Sequence, residues 1–172
     1  VDQCRTANLI LDVCRICVKV CDVASGECLS TLATKPGLPS QSRVGFHKYT
    51  FPKAETPKVL INLDAGIGWE GEKEGHIVLE NDSVVSGYRY SMGWAKNQKI
   101  YFTATFSQPV VKIRLADSTA VQAGDSIRVK RAYGELTFAK NEGEQPLLVK
   151  VAVSPVSVAN AKLNMQEELA GW

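Results

Sequence analysis

The feature that most constrains this chain is a two-residue alternation of apolar and polar side chains, repeated in short runs that are separated by turn residues. Within Lys99–Phe106, residues Ile100, Phe102, Ala104 and Phe106 fall on one face of an extended strand. Within Val110–Leu115, the expected apolar face is Val111, Ile113 and Leu115, with Lys112 and Arg114 opposite. A period of two places successive side chains on opposite faces of a sheet, so these runs predict half-buried antiparallel strands.

Other runs rich in Val, Ile, Tyr, Phe and Thr extend the reading. They predict strands over Arg43–Phe51, Lys58–Asp64, His76–Asn81, Val84–Ser91, Ser126–Lys130, Glu135–Ala139 and Leu147–Ser154. Turn signals lie between them at Asn81-Asp82, Ser107-Gln108-Pro109 and Gly124-Asp125, and Lys140–Glu144 reads as a hairpin connection around Gly143. One helix is expected at the end, capped by Ser157, with an apolar stripe of Val158, Ala161, Leu163, Met165 and Leu169 and a terminating Gly171. Short strands at regular intervals with a single helix predict an all-β fold, an antiparallel β-sandwich with one carboxy-terminal helix.

Residues 1–42 and 43–172 read differently. All five cysteines (Cys4, Cys14, Cys17, Cys21 and Cys28) fall in the first part, around the apolar run Leu9–Val23, which is compatible with a strand pair or a short helix. The Cys14-x-x-Cys17 spacing raises a zinc or redox module as one function class. A structural zinc site needs two ligand pairs brought together by a loop, and no histidine is near, so buried thiols are the preferred reading. The chain is 172 residues long with a net charge of +2 and dispersed basic residues, which gives no electrostatic basis for a nucleic-acid partner. No apolar run reaches the roughly 20 residues of a membrane-spanning helix. The chain starts at Val1 and stops abruptly at Trp172, so it is expected to be a piece of a longer protein.

The catalytic inventory is thin. His47 and His76 have no nucleophile or carboxylate at a relay spacing, and both are expected to be structural or surface residues. Glu70, Glu72 and Glu74 sit in a Gly-rich stretch that reads as a solvated loop, without the pattern of a calcium-binding loop. Gly66-Ile67-Gly68-Trp69-Glu70-Gly71 imitates a dinucleotide fingerprint but leads into no helix. The aromatics say more. Trp69, Tyr88 and Trp94, with Met92, lie at expected loops or strand ends, where they could stack on a sugar, fill an inter-domain seam or close the core.

The segment Ser86-Gly87-Tyr88-Arg89-Tyr90-Ser91-Met92-Gly93-Trp94-Ala95-Lys96 resembles a signature of family 92 of the glycoside hydrolases. Three further stretches agree in order: Arg43–Pro52, Lys99–Ser107 and Leu148–Ser157 running into Asn160–Asn164. The resemblance covers residues 43–172 and implies a sandwich of the galactose-mutarotase-like type, the amino-terminal domain of an exo-acting α-mannosidase of the α-1,2 type. It also implies an inverting, calcium-dependent reaction on mannose-containing glycans, exported to the periplasm or the cell surface. In the family the catalytic carboxylates and most metal ligands belong to an (α/α)6 barrel beyond this chain. No catalytic or metal-binding residue is therefore assigned here, and calcium would be held by the barrel.

Residues 1–42 depart from the family pattern. A shifted reading of plausible codons for Thr31–Lys35 gives Ser-Gly-Tyr-Lys, close to what the family shows, so this stretch is expected to be out of frame. Uninterrupted reads of the coding DNA would overturn that expectation. Three function classes stand at this point. They are a non-catalytic domain packed against a mannosidase barrel, a stand-alone carbohydrate-binding sandwich, and a cysteine-dependent zinc or redox module.

Overall fold

A computed structural model describes residues 7–11, 16–20, 43–51, 56–64, 71–93, 95–117, 121–122, 124–140, 142 and 145–172. Its strands, in chain order, are β1 (Ala7–Leu11), β2 (Ile16–Val20), β3 (Val44–Tyr49), β4 (Lys58–Asn62), β5 (Gly71–Asn81) and β6 (Val84–Met92). They continue with β7 (Gln98–Phe106), β8 (Val110–Ala116), β9 (Val121–Gln122), β10 (Ser126–Val129), β11 (Tyr133–Phe138) and β12 (Leu147–Ser154), and helix α1 (Val158–Glu168) closes the chain. Two sheets form, one in the order β2-β1-β4-β11-β8-β9 and one in the order β10-β5-β6-β7-β12-β3. All described pairings are antiparallel except β1 with β4, which is parallel. The fold is a β-sandwich with one carboxy-terminal helix.

The core lies between the sheets. Val59, Ile61, Leu115, Leu136 and Phe138 from the first sheet meet Ile77, Phe102, Ala104, Phe106, Val149 and Val151 from the second. Phe106 and Phe138 touch across the interface with ring centroids 5.3 Å apart. The Ile100, Phe102, Ala104, Phe106 face thus does point inward, and burying side chains of this size contributes about 2 kcal/mol each.

The structure corrects the sequence reading at several points, each with a local cause. Val110 is buried and Val111 is 66% exposed, the reverse of the expected register. A bulge is responsible: Thr137 pairs with Lys112 and Phe138 with Val110, so Val111 is the extra residue and its side chain turns outward. Lys140–Glu144 does not close a hairpin. Strand β11 pairs with β4 and β8, whereas β12 pairs with β3 and β7, so the connection crosses from one sheet to the other. Within the run Leu9–Val23, compatible on sequence with a strand pair or a short helix, the described residues belong to the paired strands β1 and β2, with Leu9 opposite Val18 and Leu11 opposite Ile16. The short strand Val121–Gln122 was not anticipated.

Helix α1 lies on the outer face of the second sheet, against β12, β7, β3 and β6. Ser157 caps it as expected, its Oγ accepting from the Asn160 N–H at 3.1 Å. Such a cap stabilises a helix by about 1 kcal/mol. The helix ends at a Leu169 cap with φ −152°, and Gly171 does not take the left-handed conformation of a terminating glycine. The expected apolar stripe is also revised. Leu163 is 54% exposed, and the buried helix residues are Ala161 and Asn164, the latter donating from Nδ2 to the Val153 carbonyl at 2.8 Å. No helix among the described residues is long and apolar enough to cross a membrane.

Candidate functional site

Two connections cross between the sheets at one end of the sandwich, and a hairpin loop joins them there. They are the chain from β4 to β5, the turn from β10 to β11, and residues 93–97 between β6 and β7. The Leu63 N–H donates to the Ala132 carbonyl at 3.1 Å, which ties the first two together. Lys73 Nζ donates to the Lys96 carbonyl at 2.9 Å and to Asn97 Oδ1 at 3.2 Å, which ties in the third. Trp69, Glu70 and Trp94 lie in these connections but outside the described residues. Met92 sits at the rim and is 51% exposed.

Beneath the rim is a buried polar cluster. Strand β5 starts at Gly71, so Glu72 and Glu74 belong to a strand and not to the solvated loop that the sequence suggested. A bulge at Lys73 breaks the alternation, since Glu72 pairs with Ser91 but Glu74 with Tyr90. The extra residue sends Glu72 inward and Glu74 outward. Glu72 is 5% exposed, and its Oε2 accepts the Arg131 N–H at 2.5 Å. Gly75 makes this possible, because a Cβ there would collide with Glu72 Oε1. Arg89 is 2% exposed and donates from Nε to the Leu63 carbonyl at 2.8 Å. Asp64 accepts from the Tyr133 hydroxyl at 2.9 Å and pairs with Arg131 Nε at 3.5 Å.

Burial pushes the Glu72 carboxyl up to about 7. The Asp64 charge adds to the rise, while the Arg131 and Ala132 N–H groups and the Arg89 charge oppose it. The Tyr133 hydroxyl is raised first by burial and then by its bond to Asp64. A carboxyl near 7 is a common mark of acid–base catalysis, but a catalytic group must reach its substrate. Glu72 is enclosed by the sandwich and committed to the Arg131 turn, where the backbone takes a positive φ of 62°. Its position suits it to hold the inter-sheet turn. Sequence reasoning missed this cluster, although Arg89 offered a signal: it shares the inward parity of Val85 and Gly87, where a charged residue needs buried partners.

Tyr88 lies elsewhere, on the outer face of the second sheet. It is 9% exposed, stacked on Tyr90 at 4.3 Å, edge-on to Tyr101 at 5.9 Å and beside His76 at 5.2 Å. Cations cover the cluster, with Arg128 Cζ 5.8 Å from the Tyr88 ring and Lys99 Nζ 5.0 Å from the Tyr90 ring. The Tyr88 hydroxyl donates to Glu74 Oε1 at 2.6 Å, and burial followed by that bond pushes its pKa up to about 12. Tyr90 also rises to about 12, chiefly through its hydroxyl bond to Tyr101 at 3.1 Å. The structure therefore brings Tyr88 together with neither Met92's rim nor the buried cluster.

His76 is in mid-strand, half-buried, with Nε2 3.0 Å from Ser126 Oγ. His47 is 3% exposed and stacked on Tyr49 at 6.0 Å, and burial lowers its pKa to about 4. Among the described residues no group of three or more His, Cys, Asp or Glu side chains could hold a metal ion. Cys17 falls in β2, while Cys4, Cys14, Cys21 and Cys28 lie outside the described residues.

Residues 34–154 match the glycosyl hydrolase family 92 N-terminal domain. A search of curated proteins returns no match. Among solved structures, the family GH92 alpha-mannosidase BT3965 from Bacteroides thetaiotaomicron superposes with a TM-score of 0.68 at 25% identity, over 76% of this chain and 18% of that one. The family GH92 inverting mannosidase BT2199 from the same organism gives 0.64 at 23% identity, over 76% of this chain and 17% of that one. The family GH92 glycosyl hydrolase ccman5 gives 0.68 at 22% identity, over 83% of this chain and 18% of that one. The last two show a shared fold. The chain spans less than one fifth of the length of these proteins.

Proposed function

The chain belongs to glycosyl hydrolase family 92 as its N-terminal domain, and from that premise we propose that it is the non-catalytic sandwich of an exo-acting α-mannosidase. The catalytic domain, an (α/α)6 barrel, follows in the same polypeptide and acts on mannose-containing glycans of the α-1,2-linked type. The observation that carries this reading is the family match over residues 34–154, supported by superposition on a family GH92 alpha-mannosidase at 25% identity. The reaction inverts the anomeric centre, with one carboxylic acid protonating the leaving oxygen and a second carboxylate activating water, both supplied by the barrel. Calcium belongs there too. The enzyme works in the periplasm or outside the cell.

Two assays test the division of labour. The isolated chain releases no mannose from α-1,2-mannobiose, with or without calcium, whereas the polypeptide from the complete reading frame does so and loses the activity in chelator. Calcium-dependent hydrolysis by the isolated chain would overturn the assignment, as would an inactive complete enzyme. The same preparations separate the other two classes. Retention of the isolated chain on mannan would favour a binding sandwich that uses Trp69 and Trp94, the buried Tyr88 having no free face for a sugar, and about one zinc per chain would favour the cysteine module.

A further inference from the structure

The chain has two methionines, and their surroundings differ. Met92 lies on the rim and is 51% exposed, so solvent reaches its sulfur from many directions. Met165 is half-buried in the last turn of α1, against the second sheet. There the Thr105 hydroxyl of β7 donates to Met165 Sδ at 3.3 Å. A thioether is a weak acceptor, so the contact adds little stability, but it fixes which side of the sulfur meets the sheet.

The helix is tied down around this contact. Asn164 donates from Nδ2 to the Val153 carbonyl at 2.8 Å, and the Leu169 N–H donates to the Met165 carbonyl at 3.0 Å. Lys162 Nζ donates to Glu80 Oε2 of β5 at 2.5 Å. Between these ties lies an open groove of about 280 Å³, lined by Glu80, Val84, Thr103 and Lys162 together with Thr105 and Met165. A water molecule occupies about 30 Å³ in the liquid, so hydrogen peroxide, little larger, has room to enter beside the sulfur.

We propose that Met165 is a site of reversible oxidation by hydrogen peroxide, and that Thr105 sets which of the two sulfoxide epimers forms there. A thioether sulfur carries two lone pairs, and reaction through one or the other gives opposite configurations at sulfur. The Thr105 hydroxyl covers one lone pair, so the oxygen arrives through the other, from the groove. That lone pair attacks one peroxide oxygen, and the S–O bond forms as the O–O bond breaks. The departing hydroxide takes the proton left on the transferred oxygen and leaves as water. Sulfur gives up two electrons and the peroxide gains them. The sulfoxide oxygen then stands in the groove one helical turn from Lys162. Each sulfoxide reductase accepts one epimer, so a single product at Met165 is restored by a single enzyme. Thr105 is a positioning residue in this chemistry, since it bonds to no reacting oxygen.

Hydrogen peroxide treatment of the whole chain tests this, with the epimers in each sulfoxide-bearing peptide then told apart by the two epimer-specific reductases. Met165 should oxidise more slowly than Met92 and give one epimer in about three-fold excess or more, a ratio within reach of a single hydrogen bond. Met92 should give nearly equal amounts of the two. Thr105→Val, which keeps the shape of the side chain and removes the donor, should bring Met165 to nearly equal epimers. In urea the unaltered chain should do the same, so the comparison survives if the variant fails to fold. Equal epimers at Met165 in the folded chain overturn the proposal. So does an excess that survives Thr105→Val or urea, and so does a Met165 that stays reduced after Met92 is fully oxidised.

Discussion

Gly87→Ala should leave little folded protein. Gly87 is an inward position at the middle of β6, paired on one side with Ile77 of β5 and on the other with Phe102 of β7. A Cβ added there would overlap the backbone carbonyl of His76 and press on the Phe102 ring edge. A flexible side chain could swing aside, but a carbonyl within a strand pair moves only if the ladder moves with it. Overpacking costs about 1–3 kcal/mol where side chains can give way, and a backbone obstacle puts this site at the upper end, about 3 kcal/mol of the roughly 5–15 kcal/mol that holds a domain together. Gly71→Ala is the control, because a Cβ there meets nothing within 4 Å, and its effect should stay within about 0.5 kcal/mol. Denaturant midpoints of the two variants measure the contrast. A Gly87→Ala protein as stable as the Gly71→Ala protein would mean that β5 and β6 are not packed this closely.

Gly87 also shows why part of the fold was legible in the sequence. It belongs to the stretch that resembled family 92, and its own strand β6 and the neighbouring β7 were found with ends within a residue or two, because uninterrupted alternation reports directly which side chains face the core. Strand β5 on the other side starts at Gly71, five residues before the expected His76. Alternation fails where a residue is inserted. At Lys73 and at Val111 a bulge changes the parity of one strand against its partner, so Glu72 is buried and Val111 exposed against expectation. A one-residue insertion leaves no mark in composition or spacing. It is stabilised by the partner strand, which lies far away in sequence. The β11–β12 connection was misread for a related reason. Two strands joined by a short loop containing glycine look alike whether they pair with each other or leave for opposite sheets. Leu163 was misread because it stands two residues from Ala161 and from Met165, an interval that turns a helical side chain to the opposite face. Of the candidate contact residues, Tyr88 is buried on the outer face and Met92 is on the rim, and Trp69 and Trp94 lie outside the described residues.

The buried cluster gives the second large effect, and it has a defined dependence on pH. A carboxyl whose pKa rises from 4.5 to about 7 on folding binds its proton more tightly in the folded protein. Stability therefore falls as pH climbs through that interval and is lowest, as far as Glu72 is concerned, above about 7. The shift corresponds to about 3 kcal/mol at full strength and about 2 kcal/mol once water at the neighbouring turn is allowed for. His47 acts in the opposite sense. Its pKa falls from 6.5 to about 4 on folding, so its protonation removes stability as pH drops through that range. Between about 4.5 and 6.5 the two slopes oppose each other, and the stability of the native chain should change little there. Glu72→Gln deletes one slope and keeps an acceptor for the Arg131 N–H. It should stabilise the protein by about 2 kcal/mol at pH 8 and by almost nothing at pH 4.5, so that its stability rises through the interval as His47 alone dictates. Urea unfolding of both proteins at pH 4.5, 6 and 8 reads this directly. An equal offset at all three values would mean that the Glu72 carboxyl titrates normally, and that the enclosure drawn around it by Gly75, Arg89 and the Arg131 turn is open to water.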